Sequence, residues 1–146
     1  MTEQHIARAR VEVNAPAERV WEALTSTDLI AQWMLGARVE SDWAPGSAII
    51  WSGEMAGRPF RDTGEVLTVD RPRRLTITHM SRTHAQDATH TIVHELDEQA
   101  GRTVLTLTQD NNASQEAAHE SSGRWASMLA ELKVVVERGE TDGRSA

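Results

Sequence analysis

Three polar side chains interrupt stretches of this sequence that otherwise alternate apolar residues. His79 is in phase with Leu75 and Ile77, His94 with Ile92 and Leu96, and Gln109 with Leu105 and Leu107. A polar group buried without a partner costs about 1–3 kcal/mol. All three therefore need partners, whether protein, ordered water or a ligand. Apolar walls with a few convergent polar groups are what a small-molecule site requires. A filled core with internally bonded polar groups is the competing account, and spacing alone does not choose between the two.

Other residue types bear on catalysis and metal binding. The six histidines are His5, His79, His84, His90, His94 and His119. His90 and His94 have the four-residue spacing that would bring two rings to one ion on a helix. In a strand the same spacing separates them by roughly 13 Å, too far to share a metal. Cross-strand proximity of His79 to His90 or His94 follows if their hairpin centres near Gln86. With no cysteine and no evident third ligand, no metal and no cofactor are expected. Asp62 and Glu65 lie on one strand and, as carboxylates, read as solvated surface. Were His79 or His94 to face a cavity, either would suit a general base, and a cyclase or hydrolase is the enzymatic alternative. Nucleophile elbows, phosphate-cradling glycine loops and nucleotide fingerprints are absent.

Bulk properties narrow the partners. A formal net charge of −7 argues against nucleic acid, whose phosphates must be neutralised. No apolar run approaches the roughly 20 residues of a membrane span, and the polar start is unlike a signal peptide. The lack of cysteine fits a cytoplasmic setting. There are five Trp, one Phe and no Tyr, which suits either a bulky core or the walls of a cavity. Trp43 and Met55 would form an outward patch if they lie on loops.

These residues need elements to position them. His5 to Val13 alternates as a half-buried strand. Pro16 opens a short helix carrying Val20, Trp21 and Leu24, and Thr25 to Asp28 leads into a second with Leu29, Ile30, Trp33 and Met34. Six strands follow: Ala37–Ser41, Ile49–Ser52, Phe60–Val69, Arg74–Ser81, Thr89–Leu96 and Thr103–Asp110, with residues 82 to 88 as a polar loop. Ala113 to Arg138 is a helix capped by Asn111 or Asn112 and ended by Gly139. Its stripe of Ala118, Ser122, Trp125, Leu129, Leu132 and Val136 cannot stand exposed along roughly 39 Å. An apolar sheet face and an apolar helix stripe bury each other. The result is an α+β domain over residues 1–139, with 140–146 as a flexible tail.

The run Ala15 to Thr25, with Pro16, Val20, Trp21 and Leu24, resembles the N-terminal signature of the helix-grip, START-like (SRPBCC) superfamily. Trp33, Pro45-Gly46, Gly64-Glu65-Val66, Asp70 to Leu75, Thr103 to Thr108, Gly123-Arg124-Trp125, Leu129, Leu132-Lys133, Glu137 and Gly139 continue the pattern in order. They resemble the branch named for homology to the activator of the Hsp90 ATPase. The resemblance implies a helix-grip fold: a curved antiparallel sheet wrapped around the last helix, with a short helical hairpin after the first strand. It also implies a pocket for an apolar or amphipathic small molecule between sheet and helix. Members range from ligand carriers to cyclases and chaperone partners. Many carry His at the position of Gln109 and an aromatic residue at that of His94, so the departures here fall where a ligand would be chosen. The expected lining is Trp51, Ile77, His79, Ile92, His94, Leu105, Leu107 and Gln109 from strands, and Trp125, Met128, Leu129 and Leu132 from the helix. Trp33 and Met34 close one end. A homodimer and a chaperone partner are the protein partners to weigh.

Overall fold

The computed structural model describes residues 5–55, 57–81 and 88–145; of Met55, Ser81, Ala88 and 140–145 only the backbone is described. The expected loop at 82–88 thus lies outside the described residues but for Ala88, which opens a strand, and so does His84.

The elements run β1 (Ala7–Val13), α1 (Ala17–Thr25), α2 (Thr27–Trp33), β2 (Arg38–Glu40), β3 (Ala48–Met55), β4 (Arg58–Asp70), β5 (Arg74–Ser81), β6 (Ala88–Gln99), β7 (Arg102–Gln109) and α3 (Gln115–Ser145). The seven strands form one antiparallel sheet in the order β1-β7-β6-β5-β4-β3-β2. β2 to β7 are a meander, as short turns dictate. The α1–α2 hairpin carries the chain from one sheet edge to the other. This is the helix-grip α+β architecture.

Local chemistry explains the helix boundaries. Glu98 of β6 accepts the Ala17 amide at the start of α1, at 2.7 Å. Ser26 accepts the Leu29 amide and caps α2. Trp33 Nε1 donates to the Ala23 carbonyl at 2.8 Å and locks the two helices together. The cap of α3 is Ser114, whose hydroxyl accepts the Ala117 amide at 3.0 Å, and not Asn111 or Asn112. Asn112 is occupied elsewhere. Its amide donates to the carbonyls of His5 and Gln109, and its oxygen accepts from Ser121. Gly139 does not end α3, which continues to Ser145. Among the described glycines with positive φ Gly139 is absent, and a Cβ there would lie 3.4 Å from the Arg19 guanidinium of α1.

The core sits between the inner sheet face and the helices. Leu105, Leu107, Leu129, Leu132, Ile49, Leu75, Val13, Val20, Val39 and Val66 are fully buried. α3 comes closest to the sheet at β1, where Ala7 and Ala9 leave room and the Arg8 amide donates to Ser122. Larger side chains fill the remaining gap. Trp43 is half-buried and packs on this core, so it forms no free outward patch. The Met55 side chain lies outside the described residues.

One close approach inside the sheet is decisive. A Cβ on Gly64 would meet the Thr78 carbonyl oxygen at 2.0 Å and the Trp51 ring at 2.9 Å. Only glycine lets β4 and β5 lie this close while the indole of Trp51 crosses β4. Gly64→Ala should therefore destabilise the fold by about 1–3 kcal/mol, read as a lowered midpoint in urea unfolding. An unchanged midpoint would show that the strands relax freely.

Candidate functional site

The antiparallel registers arrange the inner face in rows. Leu75, His94, Leu107 and Ala9 make one row, and Val66, Ile77, Ile92, Gln109 and Ala7 the next. The third row begins with His79 opposite His90. Because Thr63 pairs with Met80 and Val66 with Ile77, Gly64 stands across from His79. Two mainly apolar rows, each with one polar residue, thus lead up to a polar one.

In the lower rows the expected polar residues have protein partners. His94 is 5% exposed, and its Nδ1 lies 3.3 Å from the Leu75 carbonyl. A carbonyl only accepts, so Nδ1 carries the proton. Burial pushes its pKa down to about 4, with the Leu75 hydrogen bond opposing the shift. Gln109 Oε1 accepts from Trp125 Nε1 at 2.7 Å, tying α3 to β7. His94 and Gln109 therefore fasten the core, and neither stands beside His79. Trp33, Trp51, Ile77, Ile92, Leu105, Leu107, Leu129 and Leu132 are buried, while Trp125, Met128 and Met34 are half-buried at the margin. Two surface depressions, of about 380 and 430 Å3, lie away from this lining, one over Asp70, Arg73, Arg74 and Glu95 and the other over Thr27, Glu40 and Asp42.

The polar row holds what the sequence reading missed. Asp62 is not solvated surface: its side chain is only 14% exposed, and its Oδ2 lies 3.0 Å from His79 Nε2. A carboxylate accepts, so Nε2–H donates. Asp62 Oδ1 is buried and, among the described residues, has no hydrogen-bond partner. The Trp51 ring meets His79 edge-on, with centroids 4.8 Å apart. This contact is made possible by Gly64. On the other side the ring of His90 stacks at 6.4 Å, its Nδ1–H donating to the Asp110 carbonyl at 2.7 Å. Burial holds the pKa of His79 below 6.5. Asp62 pulls it up, and His90 adds to the depression. A signal for Asp62 was present in the sequence, since it is in phase with the buried Val66. Glu65, out of phase, is exposed as expected. His79 and His90 do meet across the hairpin, yet among the described residues no three His or carboxylate side chains form a group that could hold a metal.

The fold and this inner face define a helix-grip domain of the START-like superfamily. Residues 14–137 match the model of the family described as activator of Hsp90 ATPase homolog 1-like protein, and the chain belongs to that family. It is similar to a solved protein of Cytophaga hutchinsonii at 32% identity, over 97% of this chain and 99% of that one, with a TM-score of 0.83. DynU16, a protein in the dynemicin biosynthetic locus, shares the fold at 21% identity and TM-score 0.77, over 92% of this chain and 48% of its own. Ara h 8.0201 shares it at 9% identity and TM-score 0.75, over 93% and 99%. No curated protein matches the chain.

The placement of His94 has a consequence in acid. Its folded pKa, about 4, lies below the ordinary 6.5, so the unfolded chain takes the proton first. The stability tied to this residue is complete above about pH 6.5 and is lost as pH falls toward 4, by roughly 3 kcal/mol in total. His94→Leu should lose correspondingly less stability than wild type between pH 7.5 and 4.5 in urea titrations. Equal acid losses in the two proteins would refute the assignment.

Proposed function

We propose that this domain binds a small molecule with an apolar body and a hydrogen-bond donor, between the inner sheet face and α3. The observation that carries the reading is the polar row itself. Asp62 and His79 stand at the edge of an apolar floor of Ile77 and Ile92, and Asp62 Oδ1 is buried without a partner among the described residues. Such a group is costly when unsatisfied, more so for a carboxylate. A hydroxyl or N–H from a ligand would supply the missing bond. Trp125 is tied to Gln109, so the half-buried Met128 and Met34 are the margin side chains that would have to part. Met is unbranched and adapts to irregular shapes, which suits a margin that must open. The family and its structural relatives support a ligand-holding use of this fold without naming the ligand. Among the described residues no helix is long and apolar enough to cross a membrane, in keeping with a site that receives its ligand from solution.

The neutral probe N-phenyl-1-naphthylamine, which has an apolar body and one N–H, should gain fluorescence on binding. Met128→Gln, polar but similar in size, should weaken that binding about tenfold, since about 1.4 kcal/mol of apolar contact is at stake. Absence of any fluorescence gain in the folded protein, or equal affinity in the variant, would count against the site. Native mass spectrometry of the protein as purified would show both any retained small molecule and whether two chains associate.

A further inference from the structure

We infer that His79, held by Asp62, is a general base that removes a proton from a weakly acidic C–H or O–H of a bound apolar substrate. The inference rests on the binding reading above and adds a chemical step to it.

Geometry supplies the argument. With Nε2–H donated to Asp62 Oδ2 at 3.0 Å, the lone pair of His79 is on Nδ1. That atom has no hydrogen-bond partner among the described residues and is not among the buried unpaired atoms. It is therefore reachable. Asp62 fixes both the tautomer and the ring orientation, the part an acidic residue plays for a catalytic histidine. Trp51 closes one side of the ring edge-on and His90 stacks on the other, so the imidazole has little freedom to turn. His94 also has one ring nitrogen without a partner among the described residues, but a backbone carbonyl holds its other nitrogen and the residue is 5% exposed. His79 differs in having a carboxylate on its tied nitrogen and a side chain that is 23% exposed, at the boundary between apolar floor and solvent. Asp62 and His90 are the titratable groups acting on it. With its pKa held below 6.5, the ring is neutral, and so able to accept a proton, at pH 7.

The step balances without a further reactant. The Nδ1 lone pair takes the proton, and the electron pair of the broken bond stays on the substrate. The imidazolium, stabilised by the Asp62 carboxylate, later returns the proton to product or water. Asp62 is a positioning residue here, because it acts through His79.

The ring-opening of 5-nitrobenzisoxazole tests this directly. The base removes its one ring C–H proton, the electron pair forms a nitrile, the N–O bond breaks, and a coloured nitrophenolate leaves. The wild-type protein should show saturable turnover about a hundredfold above His79→Ala, rising with pH through a single midpoint below 6.5. Asp62→Asn should cut turnover about tenfold or more and move the midpoint to lower pH, since the carboxylate raises the basicity of the ring. Asp62→Glu should restore part of both. The 15N shifts of His79 should show Nδ1 unprotonated in wild type and a changed tautomer in Asp62→Asn. Variants are compared only where circular dichroism is native, and N-phenyl-1-naphthylamine binding is measured on each. Probe binding with no turnover above His79→Ala would overturn the base and leave the binding site standing. Loss of both would overturn both. Turnover retained in His79→Ala, or a protonated Nδ1 in wild type, would also overturn it.

Discussion

The constraint on which the molecule depends is the apolar stripe of α3, which has nowhere to go but the inner face of the sheet. Leu129 and Leu132 are fully buried there, with Val135, Val136 and Ala118 nearly so. At roughly 25 cal/mol for each Å2 of apolar surface removed from water, burying one leucine side chain contributes about 1.5–3 kcal/mol. Several in line outweigh any single polar contact in the chain. The stripe therefore fixes where α3 lies, and the polar bonds refine that position. The Trp125–Gln109 bond, the Ser122–Arg8 bond and the Asn14 amide on Glu137 each tie α3 to β7, β1 or the turn after β1. All favour the same placement, which is how a sequence comes to specify one packing and exclude its neighbours.

That placement also creates the contrast between the two buried histidines. His94 lies deep in the rows that α3 covers, and burial makes it a neutral core residue with its Nδ1 proton on a carbonyl. His79 is one row beyond Ile77, at the margin, where the same desolvation is only partial and a carboxylate is near. The two residues have the same chemistry, and their depth under the helix gives them different roles. The direction of both pKa shifts is the same, downward through burial, but of the two only His79 has a carboxylate behind its ring. Gly64 completes the arrangement, because the absence of a side chain opposite His79 lets Trp51 reach across a strand and hold the ring.

Much of the fold was legible because it rests on periodicity. The alternation in β5, β6 and β7, the stripe in α3 and the Pro16 start of α1 are each local patterns with a direct physical cause. The fine points depended on competition that a linear reading cannot weigh. Asn112 looked like a cap, but its amide gains more by joining His5, Gln109 and Ser121, and the neighbouring Ser114 takes the cap. Gly139 looked like a terminator, but a helix ends at glycine only if the chain turns left-handed there, and Gly139 does not: its φ is not positive and α3 runs on to Ser145. The departures at His94 and Gln109 from the pattern of the family did mark inward positions, yet both are settled by partners that lie far away in sequence.

The candidate site was only half legible for the same reason. His79 could be placed on the inner face from Leu75 and Ile77 alone. Its partner could not, because Asp62 reaches it across a diagonal of the β4–β5 ladder, and that diagonal depends on a one-residue register shift between Val66 and Thr68 as well as on the turn at Asp70 to Arg73. Counting by twos from Val66 does bring Asp62 inward, and general experience that carboxylates seek water argued against believing it. A carboxylate in phase with a buried strand face is held there against its own desolvation, and this one has a histidine on one oxygen and no partner among the described residues on the other. An interior arranged only for stability would place an apolar residue at such a position. Retaining Asp62 there makes physical sense when its free oxygen and the histidine it orients are both used by something that arrives from outside.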